Sequence, residues 1–422
     1  MPATPTVLLL AALVGVPSGT RLVSVSTSEA LTRALGTATA GARILVAPGH
    51  YRGRFAAADL RGTADQPILL EAADPARPPV LHGAAECIHL TGVRHVILRR
   101  LVLVGARVNG LNVDRRDSRS PPSHHIVLDH LTVRDVGGEG NRDGIKLTQV
   151  DDFVVRGCVV ERWGSGGSAI DMVGCRRGLI TGCQLRHDGG RGATGIQAKG
   201  RTRGVVIHGC RFRSAGQRAI NLGGCTRAAD LRPVSLRSEA GAIVVVGNEF
   251  VGSKAAVAFV GSDGCVACFN TIYRPTAWVI RILQEGLHPG FATCRNGSFR
   301  GNLVVWRWRE LRAAVDVRVA TRPDTFRFDG NWWYCEDRPK YSRPSLPVAD
   351  RAGVVGRDPG LVVDEPGITA RVATEHGAHA RRAAEEYAVR AAELAPWALA
   401  AARARQPVDG QEHRLAPEHG GR

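Results

Sequence analysis

The chain has 422 residues, 50 glycines, 5% aromatic residues and a formal charge of +17. Its length allows two or three average domains or one long repeat array, and its composition suits short strands between turns rather than long helices. Arginine supplies 52 of the 56 basic residues. The charge thus reflects an arginine bias, and there is no recognition helix, zinc-finger spacing or RNP-like aromatic motif, so nucleic acid is set aside as the expected partner.

Residues 7–16, VLLLAALVGV, form an apolar run too short to span a bilayer but suited to a signal-peptide core. Small residues follow it, so residues 1–18 are read as a signal peptide and the protein as exported, although no basic residue precedes the run. No later segment reads as membrane-spanning. Residues 26–38, STSEALTRALGTA, then predict a short amphipathic helix, with Ser26 and Glu29 as a capping box.

From here a repeat takes over. Gly or a polar residue is followed by Cys, Asn or His in DHLT, GCVV, GCQL, GCRF, GNEF, FNTI, GNLV and GNWW, starting at Asp129, Gly157, Gly182, Gly209, Gly247, Phe269, Gly301 and Gly330. The second residues are His130, Cys158, Cys183, Cys210, Asn248, Asn270, Asn302 and Asn331, at spacings of 28, 25, 27, 38, 22, 32 and 29. Alternating apolar stretches such as FVVRG and GLITG precede them, which is a strand signal. A second pattern, small–apolar–polar–apolar, runs in phase: GLNV, GIKL, AIDM, GIQA, AINL, AVAF and AVDV.

Short strands recurring every 22 to 38 residues are the mark of a β-solenoid. The fold class is therefore all-β: a right-handed parallel β-helix over residues 22–363 with two or three strands per coil, its N-terminal end plugged by the helix at 26–38. The repeated Cys and Asn would stack inside, the cysteines as small buried groups and the asparagines as an amide ladder. Residues 364–406 are rich in Ala, Glu and Arg and predict a helical extension broken at Pro396. Residues 407–422 predict a disordered tail.

In the second pattern the polar third residue should face outward, because its neighbours are apolar. Asn112, Lys146, Asp171, Gln197 and Asn221 then form one column, with Ala258 and Arg281 continuing it and coils about 4.8 Å apart. Lys199 lies two residues beyond Gln197, so two of the chain's four lysines meet near Asp171. The loops before these strands bring Asp143, His187, Arg191 and Arg218 to one side. His124, His125 and His130 could suggest a metal, but alternate faces of a strand and a turn are the simpler reading. Of Trp306, Trp308, Trp332 and Trp333, half should be core by alternation.

The run ALTRALGTATAGARILVAPGHYRGRF…LRGTADQPILLEA, with coils of the ITGCQL kind, resembles the secreted parallel β-helix proteins related to polysaccharide lyases over roughly residues 22–360. It is most similar to the alginate lyase and chondroitinase B group, and less so to pectate-lyase-like proteins. That resemblance implies an exported, monomeric, carbohydrate-active protein that cleaves a uronate-containing acidic polysaccharide by β-elimination. In that group the base is a lysine on a short strand, followed about one coil later by an arginine. TGIQAKG resembles the lysine strand, which implies Lys199 as base and Arg218 as its partner, with Lys146 as a supporting cation. Gln197, Asn221, Asn112, His187, Arg191 and Arg281 are the expected substrate contacts. The family's calcium-binding acids before the lysine are not matched, since Gly192 and Thr194 stand there; Asp143 and Asp171 are the expected substitutes for holding calcium. The competing readings are a non-catalytic glycan-binding or structural β-helix, a glycoside hydrolase, or a uronan epimerase. NRDG at Asn141 is similar to the NTD motif of polygalacturonases, but the later coils lack the matching acids and histidine.

Overall fold

The structure, a computed structural model, describes residues 21–187, 192–232, 237–286, 288–364, 367–371 and 375–377. Three parallel sheets run its length: sheet A with 15 strands, sheet B with 12 and sheet C with 10. Each coil visits them in turn, so the coil has three strands. Ser123–Asp129 lies in sheet A, Thr132–Arg134 in sheet B and Asp143–Thr148 in sheet C, before Val150–Arg156 returns to sheet A one coil on. Alternation sets the core. Ile145 and Leu147 point inward and are fully buried, as are Ile170 with Met172 and Ile196 with Ala198 in the next coils.

The first sequence pattern is the corner between sheets A and B. Gly157, Gly182, Gly209, Gly247, Gly301 and Gly330 all hold φ between 58 and 64°, a conformation open to glycine without the Cβ clash that disfavours it for other residues. The next residue turns inward: Cys158, Cys183, Cys210, Asn248, Asn270, Asn302 and Asn331 are all 0% exposed. His130 departs from the expectation. It takes the glycine place, with φ 53°, and its ring is outside, bonded to Asp129 at 2.6 Å. Leu131 fills the inward position instead.

The corner column changes chemistry along its length. The thiols of Cys158, Cys183 and Cys210 donate weakly to the carbonyls of Leu128, Val155 and Ile180 at 3.6 to 3.8 Å, and all ten cysteines are free. Burial pushes the Cys158 and Cys210 thiols up, so they stay protonated. Then comes the asparagine ladder. The amide of Asn248 donates to Asn270 at 2.9 Å, Asn270 to Asn302 at 3.0 Å and Asn302 to Asn331 at 2.9 Å, and Asn331 donates to Asp350 at 3.0 Å. Each of these side-chain oxygens also accepts the backbone N–H of the residue one coil earlier.

At the N-terminal end, α1 (Ser28–Gly36) buries Leu31, Ala34 and Leu35 in the core. Its cap is Thr27, whose hydroxyl accepts the N–H of Ala30 at 3.2 Å, one residue later than the expected Ser26 box. At the other end, Leu361–Val363 pairs antiparallel with Ile368–Ala370. Residues 368–370 were expected to open a helical extension. They form a strand because Ile368 is buried and β-branched, and Asp364 and Gly367 close the turn at 3.0 Å. The expected signal peptide at 1–18, most of the extension to 406 and the tail at 407–422 lie outside the described residues.

The ladder makes a testable statement. Asn270→Ala takes the side-chain acceptor from the buried Asn248 backbone N–H and removes one hydrogen bond each from the Asn248 amide, the Asn302 side-chain oxygen and the Val245 carbonyl, and is expected to lower unfolding free energy by about 3 kcal/mol. Asn270→Cys, which copies the neighbouring thiol column, should cost less. Urea unfolding of the three proteins measures this, and a loss under about 1 kcal/mol for the alanine variant would reduce the ladder to shape filling.

Candidate active site

Sheet C carries the polar column in the expected register. Asn112 pairs with Lys146, Lys146 with Asp171, Asp171 with Gln197 and Gln197 with Asn221, and the column continues through Ala258 to Arg281. The connections from sheet B stack on the side where these strands begin. Gly164 N–H donates to Arg142, Gly166 to Gly140, Thr194 to Gly167 and Gln217 to Ala193. This wall buries part of the column, so Asp143 and Asp171 are both 0% exposed. Alternation alone would have left Asp171 in solvent.

Lys146 is the centre of the cluster. Its Nζ is 2.8 Å from Asp143 Oδ2 and 3.0 Å from Asp171 Oδ2. The other oxygen of Asp143 accepts the backbone N–H of Ser168 at 2.8 Å. Asp171 Oδ1 lies 3.5 Å from Lys199 Nζ. Burial acts to lower the pKa of Lys146, but the two carboxylates outweigh it and hold the ammonium well above the usual lysine range. Burial, helped by the charge of Asp171, pushes the Asp143 carboxyl up, with Lys146 opposing. Lys146 is therefore a fixed cation.

Lys199 closes strand Thr194–Lys199. Just after it, Gly200 N–H donates to Glu239 at 2.8 Å, and the same carboxylate takes the N–H and hydroxyl of Thr226 at 2.9 and 2.7 Å. Glu239 is fully buried and pins the segment after Gly223 against Lys199. Gly224 is needed there for its φ of 150°, and a Cβ would also press on the end of the Gln197 side chain at 2.9 Å.

Arg218 opens the next coil's strand, Arg218–Gly223, five residues before the position level with Lys199, or about 16 Å along the strand. The side chains shorten that gap. The Arg218 guanidinium donates to Asn221 Oδ1 at 3.1 Å and pairs with Glu285. Lys199 leans back to Asp171. The two head groups thus sit two rungs apart, roughly 10 Å, with Gln197 between them.

The other expected contacts fare differently. Asn112 donates to Glu86 at 3.1 Å and is buried. His187 bonds the carbonyl of Trp163 at 2.8 Å and packs on its ring. Arg281 is paired with Asp316 at 2.7 Å and stacked on Trp278, three rungs beyond Gln197, so it does not join the cluster. Arg191 lies outside the described residues. Of the four tryptophans, Trp306, Trp332 and Trp333 are buried and Trp308 is exposed.

One group was not anticipated. His89, in the column just before Asn112, is held by Glu86 and Asp114, each at 2.9 Å. Its hydrogen bonds to Asp114 and then Glu86 raise its pKa to about 9. The signal was present in CIHL, where Cys87 stands in the small position of the second pattern.

The calcium expectation meets a poor fit. The facing oxygens of Asp143 and Asp171 already share one ammonium, and calcium needs 6 to 8 oxygens, which these two acids and their neighbours do not present. Bonds of 2.8 and 3.0 Å to that one nitrogen also hold the two oxygens closer than the roughly 6.5–9.5 Å spacing of inverting hydrolases.

Residues 109–274 match a family model described as the right handed beta helix region. The fold is a right-handed parallel β-helix. No curated protein matches the sequence. An alginate lyase from Paenibacillus sp. str. FPU-7 superposes with a TM-score of 0.51 at 19% identity, over 72% of this chain and 97% of the other. The pectate lyase Pel9A gives 0.48 at 14% identity, over 72% and 79% of the two chains. A GH136 lacto-N-biosidase from Eubacterium ramulus gives 0.49 at 12% identity, over 79% and 68%. At these identities the likeness is one of fold. No helix among the described residues is long and apolar enough to cross a membrane.

Two outcomes test the electrostatics. Lys146→Met leaves two buried carboxylates facing each other and is expected to lower stability by about 3 kcal/mol; adding Asp143→Asn should restore part of it, as urea midpoints will show. His89 has a folded pKa above its unfolded value, so its contribution is full below about pH 6.5 and is lost as pH rises through about 9. The stability gap between the parent and His89→Gln, about 2 kcal/mol at low pH, should close over that window.

Proposed function

We propose that this chain is an exported lyase of a uronate-containing acidic polysaccharide, with Lys199 as the base. The observation that carries the reading is the buried Asp171 carboxylate lying between Lys146 at 3.0 Å and Lys199 at 3.5 Å on the outward column of a β-helix sheet. The two lysines differ in kind. Lys146 is locked between two acids and can only supply charge. Lys199 has one longer contact, and its nitrogen is the one able to turn toward a substrate.

β-Elimination takes the proton α to the uronate carboxyl, and the electron pair becomes the C4–C5 double bond as the C4–O bond breaks. The leaving oxygen is protonated from water or from the ammonium just formed. Negative charge builds on the uronate carboxylate along the way, and preorganised cations stabilise it. In this reading Lys146 and Arg218 supply those cations and no divalent ion enters. Lys199 takes the proton, which as general-base catalysis is worth about 10²–10⁴ in rate. Gln197, lying between the cations, holds ring hydroxyls, Asn221, which is buried with both ends of its amide engaged, positions Arg218, and Asp143 and Asp171 position Lys146. The fold alone also suits a glycan-binding module, which would retain polymer without cutting it.

Alginate, pectate and glycosaminoglycans are the substrates to screen, by ultraviolet absorbance of the unsaturated uronate and by new reducing ends. Absorbance with reducing ends is the expected result. Reducing ends alone would indicate hydrolysis, and retention without either would indicate a binder. Lys199→Ala should lose about 10²–10⁴ of the rate, and full activity in it would remove the base assignment. A calcium chelator should leave the rate unchanged.

A further inference from the structure

A second cluster lies on sheet A. His124 and His125 bring their Nδ1 atoms to 2.7 Å. His95, one coil earlier, stacks on His125 with ring centroids 4.3 Å apart and meets His124 edge-on at 5.6 Å. One ring nitrogen from each of the three lies within 4.8 Å of the others, and all three residues are half-buried. We propose that His95, His124 and His125 form a binding site for a late first-row transition metal ion such as zinc, clamping two successive coils. This inference stands apart from the lyase reading.

The backbone aims the rings. His95 and His125 hold φ of 50 and 58°, a bulge that recurs in the following coils at Asp152, Arg177 and Gly204. A non-glycine residue there is strained. The later coils fill the bulge with a matched pair, Arg177 donating to Asp152 at 2.6 and 2.8 Å. The two earlier coils put histidine there and add His124 beside it. The three imidazoles crowd together, His124 and His125 at 2.7 Å and His95 against both rings, an arrangement that a shared cation would stabilise. Around tetrahedral zinc, with Zn–N of about 2.0–2.1 Å, ligand nitrogens sit roughly 3.3 Å apart. Nitrogens within 4.8 Å reach that spacing by small side-chain rotations. Three imidazoles and no thiolate or free carboxylate select zinc, copper or nickel over calcium and magnesium. By register Asp151 lies beside His124 and Asp152 beside His125, but Arg232 engages the first and Arg177 the second, so the fourth position is left to water or a small anion.

The test uses the full, untagged chain, stripped with chelator and titrated with zinc by calorimetry and with cobalt by its visible spectrum. One ion per chain is expected, with a rise in thermal midpoint. His95→Gln and His124→Gln should each weaken zinc at least about 100-fold while circular dichroism stays unchanged. His50→Gln, which alters the separate His50–His82 contact at 2.9 Å, should leave binding intact. Calcium should neither bind there nor compete. No stoichiometric ion, or equal binding in parent, His95→Gln and His124→Gln, would leave an adventitious ion only and overturn the site.

Discussion

Parallel pairing in strict register is the constraint on which everything else here rests. In a coil of three strands each backbone group bonds to the coil before or after it, and no strand can slip by one residue without turning its apolar face outward. Each side chain therefore has a fixed neighbour about 4.8 Å above and below. Lys146 meets Asp171 because Ile145 must meet Ile170 and Leu147 must meet Met172. The ion pair is placed by the apolar residues on either side of it.

That dependence explains what the sequence made legible. The two in-phase patterns carry the register, so the column from Asn112 to Arg281 could be read before any coordinates, as could the meeting of Lys146, Asp171 and Lys199. The misses share one cause: they sit at corners and loops, where the alternation rule stops. His130 was counted one place too far inward because the left-handed corner accepts histidine as well as glycine. The burial of Asp143 and Asp171 depends on how the connections before sheet C stack. His124 and His125 read as opposite faces of a strand, yet the bulge at His125 turns the pair together. The His89 group was hidden because cysteine stood where the pattern had shown only glycine or alanine.

Register also separates the two lysines, which look alike in the sequence. Asp143 lies three residues before Lys146 on the same strand, so Lys146 gains a carboxylate from its own coil and another from the next. Two coils on, Gln197 stands level with Lys146, and Lys199 lies two residues further along, level with Val173. Lys199 reaches back to Asp171 alone. A two-residue offset along the strand divides a locked cation from a lysine with room to move.

The longest spacing in the repeat, 38 residues between Cys210 and Asn248, falls in the coil after Lys199. A β-helix can absorb extra chain only at its corners, because its strands are held on both sides. This insertion leaves sheet C at Gly223 and returns through Glu239, whose buried carboxylate ties Thr226 to Gly200. The added segment is thus fastened to the residue that follows Lys199. The change from thiol to amide in the corner column falls in the same coil, between Cys210 and Asn248. The amide ladder begins where the chain first has to re-enter register after a long excursion. Asn248 accepts from the Cys210 N–H and donates to the Ile207 carbonyl, and these directional bonds reset the register there more strictly than the single weak donation of a thiol would.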